Sequence, residues 1–97
     1  MNVFISLPMN GRSMEDIERR FDEIKELLQK RFPKDKIEII SSLWKKDKRG
    51  PVWCLGYNIM AMDQADLIVF DKGWKKARGC RIEYSVCANY GFRFMEI

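Results

Sequence analysis

The sequence predicts a small doubly wound α/β domain with a parallel sheet of about four strands in the order 2-1-3-4 and helices on both faces. Three observations predict it. Short β-branched and aromatic runs alternate along the chain with segments of helical periodicity. Alternating strands and helices imply parallel strands joined by right-handed crossovers. The 97 residues leave room for one domain and one core only, so a single domain over 1–97 is expected.

Each element has its own signal. Val3-Phe4-Ile5 is β-branched and aromatic and reads as a buried strand, broken by Pro8, Asn10 and Gly11. Ser13 is a good N-cap, and Glu15 and Asp16 follow in the first turn, where the helix dipole favours acids. Met14, Ile17, Phe21, Ile24 and Leu28 recur at spacings of three and four, giving one apolar stripe on a helix over about 13–31 that Pro33 ends. Ile37, Ile39 and Ile40 form a second short strand, and 41–53 read as a loop. A short helix is expected over Cys54–Asp63, with Leu55, Ile59 and Met62 inward. Leu67–Phe70 is the clearest strand, 71–76 a loop, and Ala77–Tyr90 a helix for which Gly91 supplies the C-terminal cap. Phe92–Ile97 is a fourth strand or tail. The pattern is of the Rossmann or flavodoxin-like kind, in which ligands bind beyond the carboxyl ends of the strands where the strand order reverses. That rule names the loops 6–12 and 71–78.

Composition narrows the chemistry. Hydrophobic residues make up 46% and charged residues 33%, ordinary values for a folded soluble chain. The apolar runs of about five residues fall far short of the roughly 20 that a membrane helix needs. Asn10, Gly11 and Arg12 interrupt any signal-peptide core, so a cytoplasmic protein without a membrane partner is expected. Histidine is absent, and the three cysteines, Cys54, Cys80 and Cys87, form no CxxC pair. A structural zinc site of four Cys or His ligands is not expected within one chain, any Ser-His-Asp or Cys-His mechanism is excluded, and acid–base work falls to Asp, Glu, Lys, Tyr or Cys. A net charge of +4 suits an anionic small ligand without requiring nucleic acid.

Glu83 is the most informative residue. Gly79, Ile82, Glu83, Val86 and Tyr90 share one side of the last helix, so Glu83 lies on or beside the face that packs on the sheet. A carboxylate there is either functional or an edge glutamate paired with Arg12, Arg78 or Arg81. Gly73 and Gly79 permit tight turns in the basic segment 73–81, and free amides at the start of the following helix can receive a phosphate. Trp74 either stacks on a base or covers the core. Lys45–Arg49 is either a solvated loop or a lid near an anionic ligand, with Trp44 and Trp53 pinning it. The cysteines and the six methionines read first as core filler, although Cys80, near a helix start, is placed for a lowered pKa.

The run Val3-Phe4-Ile5-Ser6-Leu7-Pro8-Met9-Asn10-Gly11 resembles the first strand and loop of the nucleoside 2-deoxyribosyltransferase-like superfamily. Ala65-Asp66-Leu67-Ile68-Val69-Phe70, Gly73-Trp74, Arg78-Gly79-Cys80-Arg81-Ile82-Glu83, Ala88 and Gly91 resemble its second signature. The resemblance is closest to short bacterial and phage members and covers nearly the whole chain. It implies cleavage of the N-glycosidic bond of a deoxynucleoside or deoxynucleoside 5′-monophosphate, or deoxyribosyl transfer, with Glu83 as the catalytic nucleophile and no cofactor or metal. Ser6, Pro8, Met9, Asn10, Gly11, Arg12, Asn58, Gly73, Trp74, Arg78 and Gly79 would line the substrate. The chain departs from the family at Leu7, where glycine is common, and at Asn58 and Ala77, where the enzymes carry acids. Asp63, Asp66 and Asp71 are possible replacements for the leaving-group acid, and Tyr57, with an ordinary pKa near 10, is a poor one. A nucleotide-binding or nucleotide-sequestering protein is the alternative, with Glu83 on a sugar hydroxyl. The small sheet and the resemblance both point to a homodimer.

Overall fold

The computed structural model describes residues 1–40 and 49–97. Its elements are β1 (Asn2–Ser6), α1 (Met14–Arg31), β2 (Glu38–Ile39), α2 (Pro51–Met62), β3 (Leu67–Phe70), a 3₁₀ turn (Trp74–Lys76), α3 (Arg78–Tyr90) and β4 (Phe94–Glu96). The sheet has four parallel strands in the order β2-β1-β3-β4, as the sequence predicts. Among the described residues no helix is long and apolar enough to cross a membrane.

Period-two alternation divides the core between the two faces. Val3, Ile5 and Leu7 with Leu67 and Val69 pack against Ile17, Ile24 and Leu28 of α1. Phe4, Ile68 and Phe70 turn to the other face, against Met62 of α2 and Cys80 and Cys87 of α3. The β1/β3 pair is continuous from Val3↔Leu67 to Ser6↔Phe70. It marks the reversal of strand order, because α1 leaves β1 on one face while α2 returns to β3 on the other.

Helix α1 begins and ends where its sequence says: the Ser13 hydroxyl accepts from the Asp16 amide, and Phe32 caps the end. Three readings need correction. Helix α2 starts at Pro51, inside the expected loop, because proline in the first turn loses no intrahelical bond. Its buried residues are Cys54, Asn58 and Met62, while Leu55 and Ile59 are half-buried. A helix without a single charge offers no polar face to phase it. In α3 the buried stripe is Cys80, Glu83 and Cys87, and Ile82 and Tyr90 are exposed. The cysteines take the core positions that size and hydropathy assigned to larger residues.

Candidate active site

At the carboxyl edge of the sheet, Ser6 closes β1 and Asp71 follows β3, and their backbones are joined by the Asp71 amide donating to the Ser6 carbonyl at 3.1 Å. Alternation sends the two side chains to opposite faces. Ser6 follows Phe4 toward α3, and its hydroxyl donates to Glu83 Oε1 at 2.6 Å. Asp71 turns toward α1, where Arg20 donates to both carboxylate oxygens, Nη2 at 2.7 Å and Nε at 3.0 Å.

These carboxylates differ in their partners. Glu83 is 6% exposed, and among the described residues its carboxylate is bonded to the Ser6 hydroxyl and to no cation. The expected pairing of an edge glutamate with Arg12, Arg78 or Arg81 is not found. Burial pushes the Glu83 carboxyl up to about 7, with the Ser6 bond pulling the other way. Burial also acts to raise Asp71, but the Arg20 hydrogen bond, the Lys72 amide and the charges of Arg20 and Arg12 hold it below the usual carboxylate value. The Cys80 thiol is pushed up to about 11 by burial, against the pull of the Ser6 hydroxyl. The lowered pKa expected from its place near the start of α3 is therefore reversed, because desolvation, with the charges of Glu83 and Asp71, outweighs the Ser6 hydrogen bond.

The surrounding loops meet over this edge. Gly73 has φ +83°, and a Cβ there would stand 3.9 Å from Pro8 Cγ, so the two loops lie side by side. Met9 and Arg12 close a turn, the Arg12 amide donating to the Met9 carbonyl at 3.2 Å. Asn10 and Gly11 are exposed at its tip, and half-exposed Arg12 holds Nη1 4.0 Å from Asp71 Oδ2. Arg78 is exposed on the first turn of α3, and Gly79 has open space over its Cα. Lys72, Lys75 and Lys76 are exposed beside them, and none of these cations has an acidic partner among the described residues. No side chain caps the start of α3, which leaves its first amides to solvent or a ligand.

Trp74 is placed elsewhere. Its indole stacks on Tyr84 at 4.4 Å, packs against Phe70 and donates to Glu96 Oε1 at 2.8 Å. It covers the core, the second of its two expected roles. Asn58 is buried on α2, with Cys54 and Met62 on the same stripe. Of the possible acids, Asp63 caps the end of α2 and Asp66 accepts from the Asn2 amide at 2.7 Å, so both lie at the amino edge, across the sheet from Glu83. Tyr57 is 40% exposed and stacks on Trp53. Lys45, Lys46, Lys48 and Trp44 lie outside the described residues, while Arg49 stands 3.6 Å over the Trp53 ring.

Sequence reasoning missed Arg20. The signal was available, since Arg20 falls three residues after Ile17 and four before Ile24, on the inward side of α1. Among the described residues, no group of three or more Asp, Glu or Cys side chains could hold a metal ion. Comparison of the chain with protein-family models, with curated proteins and with solved structures gives no match. Fold and site thus define a doubly wound α/β protein with an uncompensated carboxyl group at its switch point, and the motif resemblance carries no family assignment.

Proposed function

We propose that this protein cleaves the N-glycosidic bond of a deoxynucleoside 5′-monophosphate or nucleoside, or transfers the deoxyribosyl group, with Glu83 as nucleophile. The observation that carries the reading is Glu83 itself, buried at the carboxyl edge beside β1 and bonded, among the described residues, to a serine and to no cation. A carboxylate so placed has charge to offer a developing oxocarbenium centre. The Glu83 oxygen would bond to C1′ as the C1′–N bond breaks, the base leaving with the electron pair and taking a proton. Water or a second base would then displace the glutamate. With its carboxyl at about 7, Glu83 is ionised in roughly half the molecules at neutral pH, so turnover should rise as pH rises through that value. Unpaired Lys72, Lys75, Lys76 and Arg78 and the uncapped start of α3 favour a phosphorylated substrate over a free nucleoside. Cytoplasmic residence accords with such a substrate.

One observation favours the second reading, nucleotide binding without turnover. Of the acids expected to serve the leaving base, none among the described residues is placed for it: Asn58 is neutral, Asp63 and Asp66 lie at the far edge, and Arg20 keeps Asp71 ionised. The leaving proton would then come from water.

Release of free base from a panel of deoxynucleoside monophosphates and nucleosides, followed by chromatography, separates the two. Release by wild type and its loss in Glu83→Ala is the expected result. Absence of release from every substrate, with retained nucleotide affinity, would replace the glycosidase reading by the binding one. The homodimer belongs to the same proposal. Val52, Trp53, Tyr57 and Met60 are exposed along an α2 that carries no charge of its own, an apolar surface on which a second copy can pack.

A further inference from the structure

The Ser6 hydroxyl is 1% exposed, at the end of a central strand and beneath a helix. A buried hydroxyl needs a partner, and it has one proton to donate. That proton is directed to Glu83 Oε1 at 2.6 Å, within the range of an O–H donating to an ionised carboxylate. A hydroxyl committed in this way has no proton left for a sugar or phosphate.

Both ends of the bond are fixed by secondary structure. Ser6 is held opposite Phe70 in the β1/β3 ladder, and Glu83 stands about one turn inside α3. Among the described residues Ser6 is the one group bonded to this carboxylate, and none of them bonds to Oε2. We propose that Ser6 is a positioning residue for Glu83 rather than a substrate contact: its hydroxyl fixes Oε1 and leaves Oε2 as the oxygen presented to substrate. The inference rests on the reading of Glu83 as nucleophile. In that reaction the Oε2–C1′ bond forms as the C1′–N bond breaks, the base keeps the electron pair and takes a proton from water, and Ser6 keeps its own proton throughout. Attack of water at C1′ then breaks the ester, returns the carboxylate to the same hydrogen bond and releases a proton that neutralises the hydroxide left by the first step.

The Ser6 hydroxyl also lies against the Cys80 thiol, a weak acceptor that makes the lesser claim on its proton. Cys80 and Cys87 flank Glu83 on α3, both pushed up to about 11, so both stay neutral thiols over the working range. Asn58 is the buried polar residue of α2 and carries no charge. Asp71, beyond β3, is held by Arg20, and Glu96 of β4 accepts from Trp74. Ser6 therefore both orients the carboxylate and favours its ionised form.

The test is an NMR titration of the full chain labelled with ¹³C at the glutamate carboxyls, with Glu83 assigned through Glu83→Gln. Ser6→Ala should move the Glu83 midpoint up by about one pH unit, while Ser6→Thr, which keeps the hydroxyl, should stay near wild type. Where wild type releases base, the rising limb of kcat/KM in Ser6→Ala should move by the same amount. Its rate at pH 7 should then fall about fivefold and recover at higher pH. If Ser6→Ala fails to fold, judged by circular dichroism, Ser6→Cys replaces the hydroxyl by a weak donor of similar shape and must show the same upward movement. A folded Ala or Cys variant whose midpoint and limb match wild type overturns the proposal, as does a loss of rate equal at every pH. Because the titration needs no turnover, a moved midpoint in a protein that releases no base from any substrate removes the glycosidase reading and upholds the hold of Ser6 on Glu83.

Discussion

Glu83 weakens the fold that carries it. Burial raises its carboxyl from 4.5 to about 7, so between these values the native chain keeps a proton that the unfolded chain has released. Stability therefore falls as pH rises through that window, and the full loss above it is about 3 kcal/mol. Glu83→Gln removes the ionisable proton and keeps the shape. Urea denaturation should find it equal to wild type near pH 4 and about 3 kcal/mol more stable at pH 8. A variant less stable than wild type at pH 8 would show that the carboxylate supports the fold. A residue whose charge costs stability and that no cation compensates is what a site retained for its chemistry looks like. The place of Glu83 near the packed face was legible from helical spacing. Its partner was not, because an arginine search follows charge whereas the serine is reached only by strand alternation, with Ser6 two residues after Phe4.

The three helices were legible to the degree that each is amphipathic. Helix α1 has a capping serine, an apolar stripe and a charged remainder, and the structure keeps all of them. Helix α2 is apolar on every side, so its phase and its start at Pro51 could not be read from hydropathy. Helix α3 was placed correctly along the chain but turned slightly, since small cysteines occupy the inner stripe. The contact that joins two elements at the site, Arg20 of α1 with Asp71 after β3, has a checkable cost. Asp71 is 1% exposed on its side chain and Arg20 23%, so Arg20→Ala leaves a nearly buried carboxylate with only Arg12, 4.0 Å away. The expected loss is about 2–4 kcal/mol by urea denaturation, discounted for the part of Arg20 in solvent. Arg19→Ala is the control, for its partner Asp16 lies on the surface and its loss should cost less than about 1 kcal/mol. Equal losses in the two variants would deny the buried pair its role. The sign with pH is opposite to that of Glu83. Asp71 ionises more readily folded than unfolded, so its contribution is full above its ordinary value of 3.8 and is lost as acid protonates it.

At the scale of the whole molecule, the strand order followed from alternation of strands and helices alone, whereas the division of the carboxyl edge into two faces did not. The arginine–aspartate pair lies toward α1 and the serine–glutamate pair toward α3, because consecutive strand residues point apart. The exposed side of α2 supplies a prediction at this scale. Wild type should sediment as a dimer and Met60→Asp as a folded monomer, since Met60 is 66% exposed and a charge there disturbs no core. A monomeric wild type would dismiss this interface. The hydrogen bond at the centre of the site also sets an order of events during synthesis. Ser6 and Glu83 are 77 residues apart in the chain. At about 5–20 residues per second the ribosome makes the glutamate roughly 4–15 s after the serine. For most of that interval Val3-Phe4-Ile5 lacks its partner strand β3, and α3 follows later still, so the first strand of the sheet is the part of the nascent chain that waits longest for its cover.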